Sequence, residues 1–481
     1  MSLFSIPKIL IASDRSSSGK TTVTIGLIKL LKEKGYSVQP FKVALDYIDP
    51  EYHSEVSLRY CRNLDGYLMS ENQLKNVFIN ACNEKDKQKN TANIAIIEGV
   101  RGLYEGIDGI LDIGSTAQIS KILNCPIIFV INTKSITKSC SAIIKGFMDI
   151  DPNINIKGII LNNVKNKEHA SKIIKSINYF VKIPIVGIIY RDKDIEFEMK
   201  CFGLESIQKQ NVNKKIFDNK IKKLYNKFSQ EINLQEILNI SNKENTFHVD
   251  DNYKDVFCSN NLIHLNDKIT IGIPYDEAFN HYYKDNINLF KIYGANIKRF
   301  SILHDEFPPK DIDAIYIGGG DIEPYLEELE NNSSMKNMIK RYSLNGMPIY
   351  GESSGMNYLT KKIIVDNNEY NMVNALPGTT ILMRDKKVVT YTKGFFVKKS
   401  IIGLEKNEFK AHEFHNTKII DLNDDDNYAI SIERGVGIKN MKDGIMNNNT
   451  IGTYSRFHGV SYDGWIKQII ENAKLYKNIQ K

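Results

Sequence analysis

Three groups of residues carry the side-chain types that chemistry needs. The stretch IYGESSGMNYL, residues 349–359, reads as a short apolar strand, a tight small-residue turn and a helix. That is the layout of a nucleophile elbow, with Ser353 at its apex. A serine hydroxyl does not ionise near neutrality and attacks only with an adjacent base. The second group is SDRSSSGKTT, residues 13–22, where Ser18, Gly19, Lys20, Thr21 and Thr22 follow an apolar run and open a helical pattern. Backbone N–H groups and a helix N-terminus attract phosphate there, Lys20 neutralises phosphate charge and the Thr21 hydroxyl suits Mg2+. The glycine expected five residues before Gly19 is Asp14. The third group is carboxylates after strand-like runs: Asp46 and Asp49 in FKVALDYIDPEYH (41–53), and Glu98 and Glu105 in IIEGVRGLYEG (96–106). Hard carboxylate oxygens beside a phosphate loop suit Mg2+. For Asp49, just before Pro50, a turn-forming role competes, and for Glu105 both readings stand.

These residues need a scaffold. KILIAS (8–13), NIAIIEG (93–99), PIIFVIN (126–132), IKGIILNNV (156–164) and IPIVGII (183–189) read as buried parallel strands, with helical patterns such as TTVTIGLIKLLKEKG (21–35) between them. The alternation predicts a doubly wound α/β domain over 1–205, whose ligands bind beyond the carboxyl ends of the strands. Residues 206–265 turn Lys/Asn-rich and read as a helical connector and linker. A second α/β pattern, with KITIGIPYD, AIYIGGGD and PIYGESSG, begins a domain over 266–481 that ends in a β-rich tail.

Bulk properties narrow the function classes. The 481 residues have 42% hydrophobic and 25% charged content, ordinary for a globular protein. The net charge of +7 comes without a dense basic run interleaved with aromatics, so no nucleic-acid partner is expected. Six cysteines (Cys61, Cys82, Cys125, Cys140, Cys201, Cys258) show no metal spacing and none follows residue 258, so the second half has no thiol nucleophile. No signal peptide and no membrane-spanning run is expected, which predicts a cytoplasmic protein.

The motifs together resemble the cobyrinic acid a,c-diamide synthase family, which includes nickel-sirohydrochlorin a,c-diamide synthases. The resemblance rests on GKTT (19–22), KVALDYIDP (42–50), RNLDGYL (62–68) and EGVRGLYEG (98–106), then DEAFNHYYKDN (276–286), FSILHD (300–305), GGGDIEPYLEEL (318–329), NALPGTT (374–380) and AHEFHNT (411–417), collinear over nearly the whole chain. It implies an N-terminal P-loop domain similar to dethiobiotin synthetase and a C-terminal class I glutamine-amidotransferase-like domain. It implies ATP as cosubstrate with Mg2+, a tetrapyrrole substrate, and amidation of its a and c acetates through acyl phosphates. Carried over by position, Lys20 holds phosphate; Thr21, Asp46 and Glu98 hold Mg2+ or the reacting centre; Asp49 and Tyr47 lie by the carboxylate; Asn63 and Asp65 contact substrate. Asn162 would recognise adenine, with a turn-forming role as the alternative. The family's Gly-Pro before DYIDP is Ala44-Leu45 here, and its PERHLGL-like segment is EMKCFGL (198–204). The macrocycle is therefore bound differently or is a different one.

In the family the elbow carries a cysteine and the base is a histidine in a C-terminal YxH segment. Here those positions are Ser353 and, in GTYSRFHGVSY (452–462), Arg456. Arginine stays protonated and cannot be the base. His458 is the nearby substitute: on a strand it would share a face with Arg456. His412 and His415 match AHEFHNT and are expected to line a pocket or domain face. The turn Gly318–Gly320 offers an oxyanion hole or simply a packing turn. The leading expectation is an ATP-dependent diamide synthase using free ammonia. Two alternatives remain: glutamine use through Ser353 or a partner glutaminase, and a non-catalytic nucleotide or tetrapyrrole carrier or regulator. A ParA-like DNA-binding ATPase accounts for the loop but not for the second domain. A homodimer is the assembly allowed for.

Overall fold

All five apolar runs of the first half become strands of one parallel sheet. In the computed structural model, which describes residues 2–86, 88–195, 197, 199–200, 203–204, 214–243, 246–250, 256–257, 268–384, 386–423 and 427–480, the chain divides into two units, Met1–Tyr253 and Lys254–Lys481. The first unit is built on seven strands in the spatial order Arg62–Leu64, Val38–Val43, Ile94–Glu98, Lys8–Ser13, Ile127–Asn132, Ile156–Val164 and Ile185–Tyr190. Every neighbouring pair is parallel. Continuous apolar runs are what strands covered on both faces require. Because the strands are parallel, their carboxyl ends share one edge. The GKTT loop, KVALDYIDP, RNLD, EGVRG and Asn162 all lie at or just beyond that edge. The strand order reverses at Lys8–Ser13, the point where such sheets bind ligands.

The expected connector is corrected by the structure. Its helices Lys214–Glu231 and Leu234–Lys243 pack into the first unit, where Phe217, Ile221, Leu224, Phe228, Ile237 and Ile240 join the core with Val23, Leu27 and Ile160. Gly26 on helix Lys20–Glu33 makes the approach possible: a methyl there would lie 2.4 Å from the Phe228 ring. Strand Thr246–Val249 pairs antiparallel with Ser2–Ser5. The polar surface that suggested a linker is the solvent face of amphipathic helices. In the departing segment EMKCFGL, Met199–Lys200 pairs antiparallel with Gly203–Leu204, and the rest lies outside the described residues.

The second unit has a ten-stranded mixed sheet. Strands Asn296–Phe300, Thr270–Pro274, Ala314–Ile317, Ile349–Glu352 and Thr450–Thr453 run parallel. The tail continues the sheet with antiparallel strands through Val388–Phe396 and Glu408–His415 to Ser455–Arg456. A four-stranded sheet, from Lys362–Val365 to Thr417–Ile420, stands beside it. Among the described residues, no helix is long and apolar enough to cross a membrane.

Candidate active site

The phosphate loop follows strand Lys8–Ser13. Gly19 has φ 94°, the left-handed region that favours glycine, and a methyl on it would lie 2.0 Å from Asn162 Nδ2. Asn162 Nδ2 donates to the Ser18 carbonyl at 2.9 Å. Its amide thus clamps the loop. Asp14, where a glycine was expected, accepts from Ser18 Oγ at 2.8 Å and pairs with Arg15. Its own φ is not positive, so the position has no need of glycine. Lys20 Nζ donates to Ser13 Oγ at 2.8 Å, to the Arg15 carbonyl at 3.1 Å and to the Arg101 carbonyl. Burial, then the charge of Lys42, lowers Lys20 to about 8. Thr22 is half-buried in the first turn of the helix.

Beside the loop lies a buried charge cluster. Lys42 Nζ is 2.5 Å from Asp49 Oδ2, 2.7 Å from Glu98 Oε1 and 3.9 Å from Asp46 Oδ2. Thr21 Oγ1 donates to Glu98 Oε1 at 2.7 Å and stands 3.4 Å from Asp49 Oδ2. His53 Nε2 is 2.6 Å from Glu98 Oε2. Environment drives the two carboxylates apart. Burial and the neighbouring Asp46 push Asp49 up. Burial would raise Glu98 too, but Lys42 and His53 outweigh it and hold Glu98 below the carboxylate range. Burial likewise opposes charge on Lys42, and Asp49 with Glu98 overcomes it and raises Lys42. Opposite shifts on adjacent acids are a pattern that acid–base sites use and that buried ion-pair networks also produce.

The remaining expected residues fall around this cluster. Asp46 Oδ1 accepts from the N–H groups of Ile48 and Asp49 at 2.9 and 3.1 Å, capping helix Ile48–Ser57, while Oδ2 faces Lys42. Asn63 Nδ2 donates to the Ala44 and Asp46 carbonyls, both at 2.9 Å, and shapes the turn carrying Asp46. Ala44, in the family's glycine position, has φ 63°. Asp65 Oδ1 accepts from Tyr67 and Leu68 N–H at 2.9 Å each, and the side chain is buried. This oxygen makes a turn. Tyr47 is buried just before helix Ile48–Ser57. Thr21 Oγ1, Glu98 Oε1 and Asp49 Oδ2 converge as hard oxygens. Among the described residues no three His, Cys, Asp or Glu form a metal cage on their own. One or two carboxylates with a hydroxyl and substrate phosphates is the donor set Mg2+ takes, so these residues fit it.

In the second unit the elbow has the expected shape. Ser353 has φ 53° and ψ −115°, a backbone that few non-glycine residues adopt, between strand Ile349–Glu352 and helix Ser354–Leu359. Gly355 lets the helix close in, because a methyl there would meet the Ile317 carbonyl at 2.2 Å. Three polar groups of the elbow and the facing turn are engaged. Ser353 Oγ donates to the Phe414 carbonyl at 3.1 Å. Gly318 N–H donates to Tyr282 Oη at 3.0 Å, and Ser354 Oγ donates to the Gly320 carbonyl at 2.7 Å. Arg456, at the base position, is 1% exposed. It donates to the His281 carbonyl and lies 3.4 Å from Glu352 Oε1. A methyl on Gly319 would lie 2.7 Å from its Nη1, so the guanidinium rests on the Gly318–Gly320 turn. Tyr316 and Tyr350 also donate to Glu352, at 2.8 and 3.3 Å. Burial raises Glu352, and Arg456 partly offsets this.

His458 does not share a strand face with Arg456. The strand ends at Arg456, so the side-by-side placement expected of a strand does not arise. His458 Nδ1 accepts from Val460 N–H at 3.3 Å, Nε2 lies 3.6 Å from Asp285 Oδ2, and the ring packs on Tyr283 with centroids 4.7 Å apart. These contacts fix a turn. His412 pairs with Tyr283 Oη at 2.8 Å and is held well below the usual histidine range by burial, Arg456 and His458. His415 stacks on Tyr454 at 3.7 Å. Both occupy a buried strand.

Sequence reasoning missed Lys42, His53, Tyr282 and Glu352. Lys42 and His53 flank the quoted aspartates, and the spacing of four between Asp49 and His53 puts both on one helix face. That spacing was the available signal.

Two family models match this chain. Residues 9–200 match a CobQ/CobB/MinD/ParA nucleotide binding domain. Residues 270–463 match a CobB/CobQ-like glutamine amidotransferase domain. A curated cobyrinate a,c-diamide synthase of Methanosarcina barkeri (strain Fusaro / DSM 804) is 43% identical over 99% of this chain and 98% of its own length. One from Methanosarcina acetivorans is also 43% identical, over 98% and 96%. One from Methanocaldococcus jannaschii is 39% identical, over 94% and 96%.

Proposed function

This chain belongs to the cobyrinic acid (cobyrinate) a,c-diamide synthase family, and we propose that it amidates the a and c acetates of a cobyrinate-type tetrapyrrole with free ammonia. It is an ATP-dependent ligase of that family.

A carboxylate is a poor acyl donor, so its oxygen first attacks the γ-phosphorus of ATP and ADP leaves. Ammonia then attacks the acyl carbon, the C–O bond to phosphate breaks, and inorganic phosphate departs with that electron pair. The proton that ammonia loses passes to the medium or a nearby base. The first step needs charge placed around the transferring group. Lys20 and the loop N–H groups bind phosphate oxygens. Thr21, Glu98 and the Asp46/Asp49 pair would hold Mg2+, which supplies charge neutralisation across the phosphates. Lys42, bridging Asp49 and Glu98, is placed to draw the substrate carboxylate into the same cluster. Burial of Glu98 and Lys42 keeps water from weakening these interactions.

The observation that supports ammonia is the closed elbow. Arg456 rests on Gly319, Tyr282 takes the Gly318 N–H, and Ser353 is bonded to a carbonyl. No base stands by the serine among the described residues, and the oxyanion turn is already engaged. The test is amide product and phosphate release with ATP, Mg2+ and cobyrinate or sirohydrochlorin. Ammonium alone should support both and glutamine alone neither. Product with purified protein and glutamine alone would overturn the reading.

A further inference from the structure

We propose that His53 is a positioning residue of the synthetase site: it fixes one oxygen of Glu98 and so aims the other at Thr21 and the nucleotide's Mg2+. The inference rests on the reading of Glu98 as a Mg2+ carboxylate.

Glu98 ends a central strand and is wholly buried. Its Oε2 is held by His53 Nε2 at 2.6 Å, and its Oε1 meets Thr21 Oγ1 and Lys42 Nζ, both at 2.7 Å. A carboxylate with one oxygen tied cannot swing the other out of register. His53 also ties this geometry to Asp49. The two sit four residues apart on helix Ile48–Ser57, hence on one face. Asp49 reaches Lys42 at 2.5 Å, so one rigid helix sets the spacing of both acids about the ammonium.

The other ring nitrogen separates positioning from proton relay. His53 Nδ1 is buried and has no hydrogen-bond partner among the described residues. A relay needs a second partner to carry the proton onward, and none is seen there. The imidazole's polar work is its bond to Glu98. Groups that orient a metal-binding carboxylate in this way typically change metal affinity or activity about 10–100-fold when removed.

The test compares His53→Gln with His53→Asn. A glutamine amide nitrogen sits near the place of imidazole Nε2 and can still donate to Glu98 Oε2. An asparagine amide sits near the place of Nδ1 and falls short of it. Calorimetry measures binding of a non-hydrolysable ATP analogue with and without Mg2+. Turnover with ammonium is measured in parallel. His53→Asn should lose about 10–100-fold of the affinity gained with Mg2+ and a similar factor in kcat, with the tetrapyrrole KM little changed. His53→Gln should keep most of both. If the two variants behave alike, His53 only fills space and the inference is overturned. Glu98→Gln is the control for the underlying reading. If it keeps the full Mg2+ gain, the assignment of Glu98 fails, and that result is distinct from a failure of His53 alone.

Discussion

At the residue scale, the proposed use of ammonia turns on two positions of the second unit. Ser353 and Arg456 stand where the family resemblance places Cys and His, and Arg456 is ion-paired with Glu352 in a buried site. Replacing Arg456 with Met should cost about 3–5 kcal/mol, because it leaves a buried charge without its partner. The cost should depend on pH. Glu352 is already raised by burial, and losing Arg456 raises it further. A raised carboxyl binds its proton more tightly when folded, so stability falls as pH climbs from the unfolded value through the folded one. Denaturant unfolding should therefore show a larger deficit for Arg456→Met at pH 8 than at pH 5. Ala44 gives a second prediction. At φ 63° its methyl is strained, and Ala44→Gly should raise stability by up to about 1 kcal/mol, read as a higher denaturation midpoint. The residue types were largely legible in the sequence: the phosphate loop, Asp46, Asp49 and Glu98 gather at one sheet edge. His458 was misread because strand alternation was extended two residues past the strand's end. The turn role of Asp65 was not legible, because an aspartate in a turn and one on a substrate share the same local sequence.

At the element scale, the parallel strands were legible because strands buried on both faces are written as unbroken apolar runs such as KILIAS and PIIFVIN. The helices of 214–243 were not, because a lysine-rich solvent face hides a narrow apolar stripe. Only the opposing surface, where Gly26 makes room for Phe228, reveals which unit they complete. Phe228 is fully buried. Phe228→Ala should therefore destabilise the first unit by about 3–5 kcal/mol. Thermal unfolding with and without ATP is the measurement, and a change near zero would return the helix to the status of a linker.

At the scale of the whole molecule, the proposed reading gives the reaction chemistry to the first unit and leaves the second with the fold of a glutamine amidotransferase but with Ser353 and Arg456 at the positions of its catalytic pair. The first unit gathers phosphate loop, ammonium and paired carboxylates in one buried cluster. In the second, the strained elbow persists while Ser353 Oγ and the Gly318 N–H are both bonded within the protein. The sequence already showed both substitutions. It could not show that Arg456 lies on the Gly318–Gly320 turn, since that depends on strands far apart in the chain. The most direct test is a competition between nitrogen sources. ATP, Mg2+ and tetrapyrrole are supplied with 15N-ammonium and unlabelled glutamine together, then with the labels exchanged, and the diamide is weighed by mass spectrometry. The structure predicts that product nitrogen follows the ammonium in both mixtures. Label arriving from the glutamine amide would contradict it and make the second unit a working glutaminase.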